Sequence, residues 1–256
     1  MDVISTGYFM SRNKLIFLGV TIFLGFILIA ISNHWRVKEY YYRYKFDLEH
    51  PQKSIKSKSQ IDAVMQVFKT IKYQDLNKDY KIYTKSEESK YKALLDQKTY
   101  VVIGRKDFYK FIVGNFRIED LLAKDKYYRQ SLKNKSRKYH WLMDKKLLYK
   151  LLELQNELEK QGYNKWGFGI TNGHRHPRYN ERIGGSKLSR HIMGEAIDIR
   201  VNDIDKNGKY TKKDKDIVLK ILEDKVIKDK GGIGRYPGTR AIHFDVRGYK
   251  ARWDSY

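Results

Sequence analysis

The stretch Ser189-Arg190-His191-Ile192-Met193-Gly194-Glu195-Ala196-Ile197-Asp198 sets a histidine and an aspartate seven positions apart. The aspartate stands in an apolar, strand-like run, Ile197-Asp198-Ile199-Arg200-Val201. A second cluster, Ala241-Ile242-His243-Phe244-Asp245-Val246-Arg247, brings another histidine on another predicted strand. Two imidazoles and a carboxylate from these places make a divalent-metal site, with zinc first among the candidates. The rest of the chain is then read for what delivers and holds such a site.

Three upstream elements are placed to do so. Lys145 to Gln161 carries Leu147, Leu151, Leu154 and Leu158 at helical spacing, with Asp144 as cap and Gly162 after its end. Trp166-Gly167-Phe168-Gly169-Ile170-Thr171 alternates apolar and small residues as a strand. It leads into the loop Thr171-Asn172-Gly173-His174-Arg175-His176-Pro177. Tyr100–Gly104 and Phe108–Val113 read as buried strands, Gly114–Leu122 as an extended entry into a short helix, and Tyr127–Tyr139 as a basic surface loop. Helix, strand, motif loop, strand and a final hairpin predict an α+β domain, a small antiparallel sheet with flanking helices, over residues 100–256 with its core at 140–256.

The N-terminal part has a different character. Residues 1–14 are a short tail. Leu15 to Ser32 is an 18-residue run without a charge, preceded by Arg12 and Lys14 and followed by Trp35. As a helix it spans roughly 27 Å, close to hydrocarbon thickness, so it is expected to be a transmembrane anchor. The competing reading is a signal peptide, for which Ala30-Ile31-Ser32 offers small residues at the cleavage spacing. Residues 33–99 read as a polar, basic spacer with one small helix near Ile61–Phe68, and Gln52–Gln60 as an exposed linker.

Charge and cysteine content narrow the partners. Lys and Arg total 53 against 30 Asp and Glu, a net +23 spread through the chain rather than gathered in a tail. Such a surface attracts polyanions: nucleic acid, anionic lipid, or a cell wall rich in carboxylate and phosphate. The chain has no cysteine, which excludes disulfides, thiolate ligands and a thiol nucleophile. Gly231-Gly232-Ile233-Gly234 suggests a tight turn, since no phosphate-loop lysine or helix follows. Asp203-x-Asp205-x-Asn207-Gly208, with Asp214 twelfth, imitates a calcium loop, but a strand precedes it and the ordinary-turn reading is preferred.

Four segments in order carry a family resemblance. They are Gly173-His174-Arg175-His176-Pro177, Ser189-x-His191, Gly194-x-Ala196-x-Asp198, and His243-x-Asp245. Residues 140–256 resemble the zinc D-alanyl-D-alanine carboxypeptidase-like peptidases, which cut cell-wall peptides and share their fold with the hedgehog signalling domain. The likeness is weaker over Asn115–Leu122. The resemblance implies His191, Asp198 and His243 as ligands of one zinc ion per chain, with a fourth position open to water. It implies Arg175 as the group that grips substrate or polarises the scissile carbonyl. Ser189 and Tyr236 are then expected at the substrate.

Many members of that family carry His-x-His where this chain has His243-Phe244-Asp245. Asp245 is accordingly expected as general base or as the group that orients His243; Asp245 as ligand with His243 as base is the alternative. The expected function is a membrane-tethered zinc metallopeptidase acting on peptidoglycan stem or cross-link peptides, D,D- or L,D-specific, with its catalytic part outside the cytoplasm. If the apolar segment is cleaved, the protein is secreted or periplasmic. Two other classes stay open. One is a non-catalytic wall-binding module. The other is a metal-dependent nuclease, suggested by charge but lacking a nuclease motif or stacking platform, so no specific nucleic acid is expected.

Overall fold

The computed structural model of the chain describes Phe17, residues 20–24, 34–134 and 137–255, and the chain divides between Glu49 and His50 into two units. In the first unit Phe17 and residues 20–24 are helical, and α1 (His34–Glu49) is a tyrosine-rich polar helix. The tail 1–14 and most of the expected anchor, 15–32, lie outside the described residues. Among the described residues no helix is long and apolar enough to cross a membrane.

Residues 50–99, expected as a spacer, belong to the second unit. The Gln52 amide donates to the Tyr109 carbonyl at 3.0 Å and accepts from the Phe111 N–H at 2.7 Å. Ile55 pairs with Gly114, and Ser57 with Gln60 forms the capping box of α2 (Lys58–Gln66). β1 (Lys69–Lys72) is followed by α3 (Lys78–Thr84) and α4 (Ser89–Leu95), then by β2 (Thr99–Ile103), with which β1 pairs antiparallel. The linker is therefore pinned by side-chain bonds to residues more than fifty positions away, which local composition cannot reveal.

A 3-10 turn, Arg105–Tyr109, replaces the start of the strand expected at 108–113, leaving β3 (Phe111–Val113). β3 pairs with β4 (Phe116–Arg117), and a second 3-10 turn covers Ile118–Leu121. Within the expected loop 127–139, α5 (Lys126–Lys133) is capped by Asp125 and buries Tyr127, Tyr128 and Leu132. β5 (Tyr139–Trp141) then completes a three-stranded sheet with β2 and β1.

α6 (Lys145–Lys160) fulfils the helical spacing closely. Leu147, Leu148, Leu151, Leu152, Leu154 and Leu158 are all buried, Asp144 accepts from the Lys146 N–H, and Gly162 follows at φ +79°. Each buried leucine contributes roughly 1.5–3 kcal/mol of transfer free energy.

That sheet has the order β10-β8-β9-β7-β6. Along the chain it comprises β6 (Phe168–Asn172), β7 (Ala196–Val201), β8 (Gly232–Arg235), β9 (Ala241–Asp245) and β10 (Ala251–Asp254). Short α7 (Pro177–Arg182) and α8 (Lys212–Ile221) lie between strands. All neighbours are antiparallel except β10 with β8, which run parallel. The α+β expectation holds, with that parallel edge as the difference. β7 is buried on both faces through Ala196, Ile197, Ile199 and Val201. Asp198 and the exposed Arg200 are the polar residues of this otherwise apolar strand.

Candidate metal centre

β7 and β9 set Asp198 directly opposite His243, and Asn172 of β6 on the other side of Asp198. His191 arrives from the turn before β7, whose backbone folds tightly through Ser189, Arg190 and His191 carbonyls. Gly194 closes that turn at φ +69°, and a Cβ there would stand 2.4 Å from the Leu142 carbonyl oxygen. The Gly-x-Ala of the motif thus has a steric reason: Gly194 lies against Leu142, and Ala196 is fully buried opposite Asp245.

Three donor atoms converge. His191 Nε2 lies 3.1 Å from Asp198 Oδ1 and 3.1 Å from His243 Nδ1, and His243 Nδ1 lies 2.9 Å from Asp198 Oδ1. Both histidines are buried. Their outer nitrogens are engaged as well. His191 Nδ1 lies 2.7 Å from the Gly173 carbonyl oxygen, and His243 Nε2 lies 3.1 Å from Asp245 Oδ2. A carbonyl accepts only from a protonated nitrogen, and the Asp245 carboxylate holds a proton on Nε2 in the same way. Each ring therefore turns a lone pair toward Asp198.

Two imidazole lone pairs and a carboxylate oxygen at such separations repel one another unless a cation sits among them. Four ligands about 2.0–2.1 Å from a tetrahedral zinc stand roughly 3.3 Å apart, so this triangle fits the ion with an opening of a few tenths of an ångström. Without an ion, a proton does the same work. Burial alone would push the His243 pKa down, yet its bonds to Asp198 and Asp245 outweigh that and raise it. Burial prevails at His191, which is lowered. Burial would raise Asp198, but the two histidines hold it well below the usual carboxylate range.

Asp245 sits behind His243, on the side of the ring away from the triangle. It is fully buried, and its oxygens accept from the Gly232 N–H (3.0 Å), the Arg247 N–H (3.1 Å), Arg247 Nε (2.8 Å) and Arg247 Nη2 (2.6 Å). Burial would raise its pKa; the bonds from His243 and Arg247 hold it far below the carboxylate range. So clamped, it stands where it orients the His243 ring, one of the two roles expected of it. In this arrangement His243 Nδ1, rather than an Asp245 oxygen, is the atom in the triangle. Glu195 is held by Lys98 (2.8 Å) and Arg190 (3.0 Å).

Arg175 bonds through Nη2 to Asp198 Oδ2, while its buried Nε has no partner. Arg175, Ser189 and Tyr236 line a cavity of about 880 Å³ together with the three donor residues. Tyr236 is half-buried, and burial followed by the Asp198 charge raises its pKa. His174 and His176 are structural. His174 is buried, its pKa lowered to about 3 by burial, and His176 caps α7 and pairs with Asp125 at 2.7 Å.

One functional wall escaped sequence reasoning. Trp253 of β10 lies 5.2 Å from the His243 ring, centroid to centroid, and lines the same cavity. The glycines expected to make a tight turn form strand β8 instead. A Cβ on Gly232 would stand 2.3 Å from Asp245 Oδ2, and one on Gly234 would stand 2.6 Å from Trp253 Cζ2. Glycine here clears space for the Asp245–Arg247 pair and the indole; a Gly-x-Gly facing a downstream Trp was the available signal.

The calcium-like loop is a turn. Asp203 accepts from the Asn207 and Gly208 N–H groups, and Asp214 from those of Ile204, Asp205 and Thr211. Asp205 pairs with Lys213 at 3.3 Å. Asp203, Asp205 and Asp214 bring carboxylate oxygens within 4.8 Å of one another, but most of these oxygens serve the turn.

A family model described as Peptidase M15 matches residues 115–245, just over half of the 256-residue chain. The matched stretch spans Arg175, His191, Asp198, His243 and Asp245 and ends before Trp253. No curated protein and no solved structure matches.

Proposed function

The chain belongs to the Peptidase M15 family of metallopeptidases, and from that premise we propose a zinc peptidase that hydrolyses stem or cross-link peptides of peptidoglycan. Residues 15–32 would hold it at a membrane, with the unit from His50 onward on the extracytoplasmic side. The observation that carries the reading is the pair of imidazoles whose outer nitrogens are each held by an acceptor, so that both lone pairs face Asp198.

A zinc ion on His191, Asp198 and His243 would supply an activated water at neutral pH and polarise the scissile carbonyl. The protein's own groups do the rest. Gly173 and Asp245 fix the two ring orientations, as outer partners of metal ligands commonly do. Arg175, with a buried N–H left over beside Asp198, is placed to receive charge developing on the carbonyl oxygen. Ser189, Tyr236 and Trp253 line the cavity in which a peptide would lie. The +23 charge favours approach to a wall rich in carboxylate and phosphate.

The test is mass spectrometry of fragments released from purified peptidoglycan by the full-length chain, with and without chelator, beside His191→Ala. Release of peptide-bond products that stops with chelator and with the variant is the expected result, and the fragment masses name the bond. Equal digestion by His191→Ala would refute the reading. Zinc bound at full occupancy with no fragment released would turn it into a non-catalytic wall-binding module.

A further inference from the structure

Outside the metal centre, a smaller cavity of about 280 Å³ opens between the Ser54–Lys56 segment, one face of α6, Gly114 and the loop before β6. Its lining contains a buried amide without a partner. Gln155 is 2 % exposed, and its Nε2 has no hydrogen bond in the protein. A buried donor left unpaired forfeits the hydrogen bond it had in water, so such groups call for an acceptor from elsewhere.

The neighbours define which acceptor. Trp166, 40 % exposed, presents a broad flat surface to the same cavity. Its indole is set by Phe116, edge-to-face at 6.3 Å, and by Gly114. A Cβ on Gly114 would stand 2.8 Å from Trp166 Cη2 and 2.5 Å from Gln155 Oε1, so a side chain there would fill the space between amide and indole. Asn156 and Ser54 add further hydrogen-bonding groups, and the Glu159–Lys165 pair lies among the lining residues with its charges matched. The cavity thus combines one aromatic face, several neutral polar groups and, beyond the matched pair, the single positive charge of Lys56. It sits at the start of β6, while the metal centre lies at its end, roughly 15–20 Å along the strand.

We propose that this cavity is a saccharide subsite that takes an N-acetylated hexosamine ring of the glycan to which the substrate peptides are joined. The C–H-bearing face of a pyranose packs on an indole, and an acetamido carbonyl supplies the acceptor that Gln155 lacks. A simple anion would meet Lys56 but leave the indole face uncovered, and a purely apolar ligand would leave the Gln155 N–H unpaired. The choice of this sugar rests on the peptidoglycan reading above; the cavity itself does not depend on the metal.

The experiment uses the full-length chain and a soluble N-acetylglucosamine tetramer, followed by tryptophan fluorescence and by calorimetry. Saturable binding is expected with and without chelator. Trp166→Ala and Gln155→Leu should each weaken it at least about tenfold, while Trp166→Phe keeps most of it. Thermal melting checks that each variant folds, and cleavage of a short glycan-free peptide should be unchanged in all three. Digestion of intact peptidoglycan should slow several-fold in the first two. No saturable sugar binding, variants that bind as wild type does, or competition by glycan-free peptide alone would overturn the proposal. Sugar binding that persists while no wall peptide is cut would sink the peptidase reading and leave the subsite standing.

Discussion

Replacing Asp245 by Asn separates two jobs that the sequence leaves joined. In the protein Asp245 accepts the His243 Nε2 proton at 3.1 Å, so that Nδ1 offers its lone pair to the triangle. An asparagine of the same shape can turn its NH₂ toward Nε2. That would place the ring proton on Nδ1, 2.9 Å from Asp198 Oδ1, where an ion has to bind. Loss of such an outer partner typically lowers metal affinity or activity 10–100-fold, or about 1.4–2.7 kcal/mol. A second effect comes from Arg247, which keeps its charge but loses the carboxylate that takes its Nε and Nη2. A further destabilisation of about 2 kcal/mol is expected from that. Zinc affinity of the full-length variant is measured by competition with a chromophoric chelator, and peptidase rate is measured separately at saturating zinc. The expected outcome is a 10–100-fold weaker zinc affinity, with much of the activity returning when zinc is raised. Zinc affinity equal to wild type with activity lost at every zinc concentration would refute the reasoning, because that is the signature of a proton-transfer base.

Three further outcomes follow from the same geometry. Arg175→Lys, which removes the planar fork, should lower kcat about 10²–10³-fold while zinc still binds, measured by kinetics beside metal analysis; unchanged kcat would remove Arg175 from the reaction. Gly232→Ala puts a Cβ 2.3 Å from Asp245 Oδ2, so it should destabilise the fold by about 1–3 kcal/mol in urea titrations and weaken zinc as well. Wild-type stability in that variant would mean that β8 yields more easily than its contacts imply. Asp214, fully buried, has its pKa lowered from 3.8 to about 2, because the backbone bonds from Asp205, Thr211 and Ile204 and the Thr211 hydroxyl overcome the opposing effect of burial. A lowered carboxyl pKa stabilises the fold above the unfolded value and loses that contribution as pH falls through the folded one. The stability gap between wild type and Asp214→Asn should be about 2 kcal/mol at neutral pH and close between pH 4 and pH 2. A gap that stays constant across that window would contradict it.

The donors were legible because their signals are local. A polar residue inside Ile197–Val201 and a histidine seven positions earlier are visible in one stretch, and strand parity places His243 and Asp245 on one face. Parity does not say which ring nitrogen faces which neighbour. That depends on the Asp198–His243 register and on Arg247 folding back over Asp245, so the role of Asp245 needed three dimensions. The same limit explains the spacer and the loop. Gln52 finds its partners at Tyr109 and Phe111, and β1 finds β2, across distances that composition does not register. α5 was hidden because tyrosines supply much of its buried face, and Tyr127 and Tyr128 count as only weakly apolar in a periodicity reading.

β8 shows how a strand with little side-chain chemistry of its own can govern a metal centre. Gly234 stands opposite His243 in the register, and Gly232 donates its N–H to Asp245. Because neither has a side chain, Arg247 can lie flat enough to hold both Asp245 oxygens, and Trp253 can cross the strand to reach His243. Asp245, so held, cannot swing toward the donors, and His243 is left with one tautomer and one orientation. A larger residue at either glycine would act on the ion through two intermediaries without touching it. In the proposed centre, where His243 would be held by an aspartate two residues on, the emptiness of the neighbouring strand would shape the site as much as the ligands themselves.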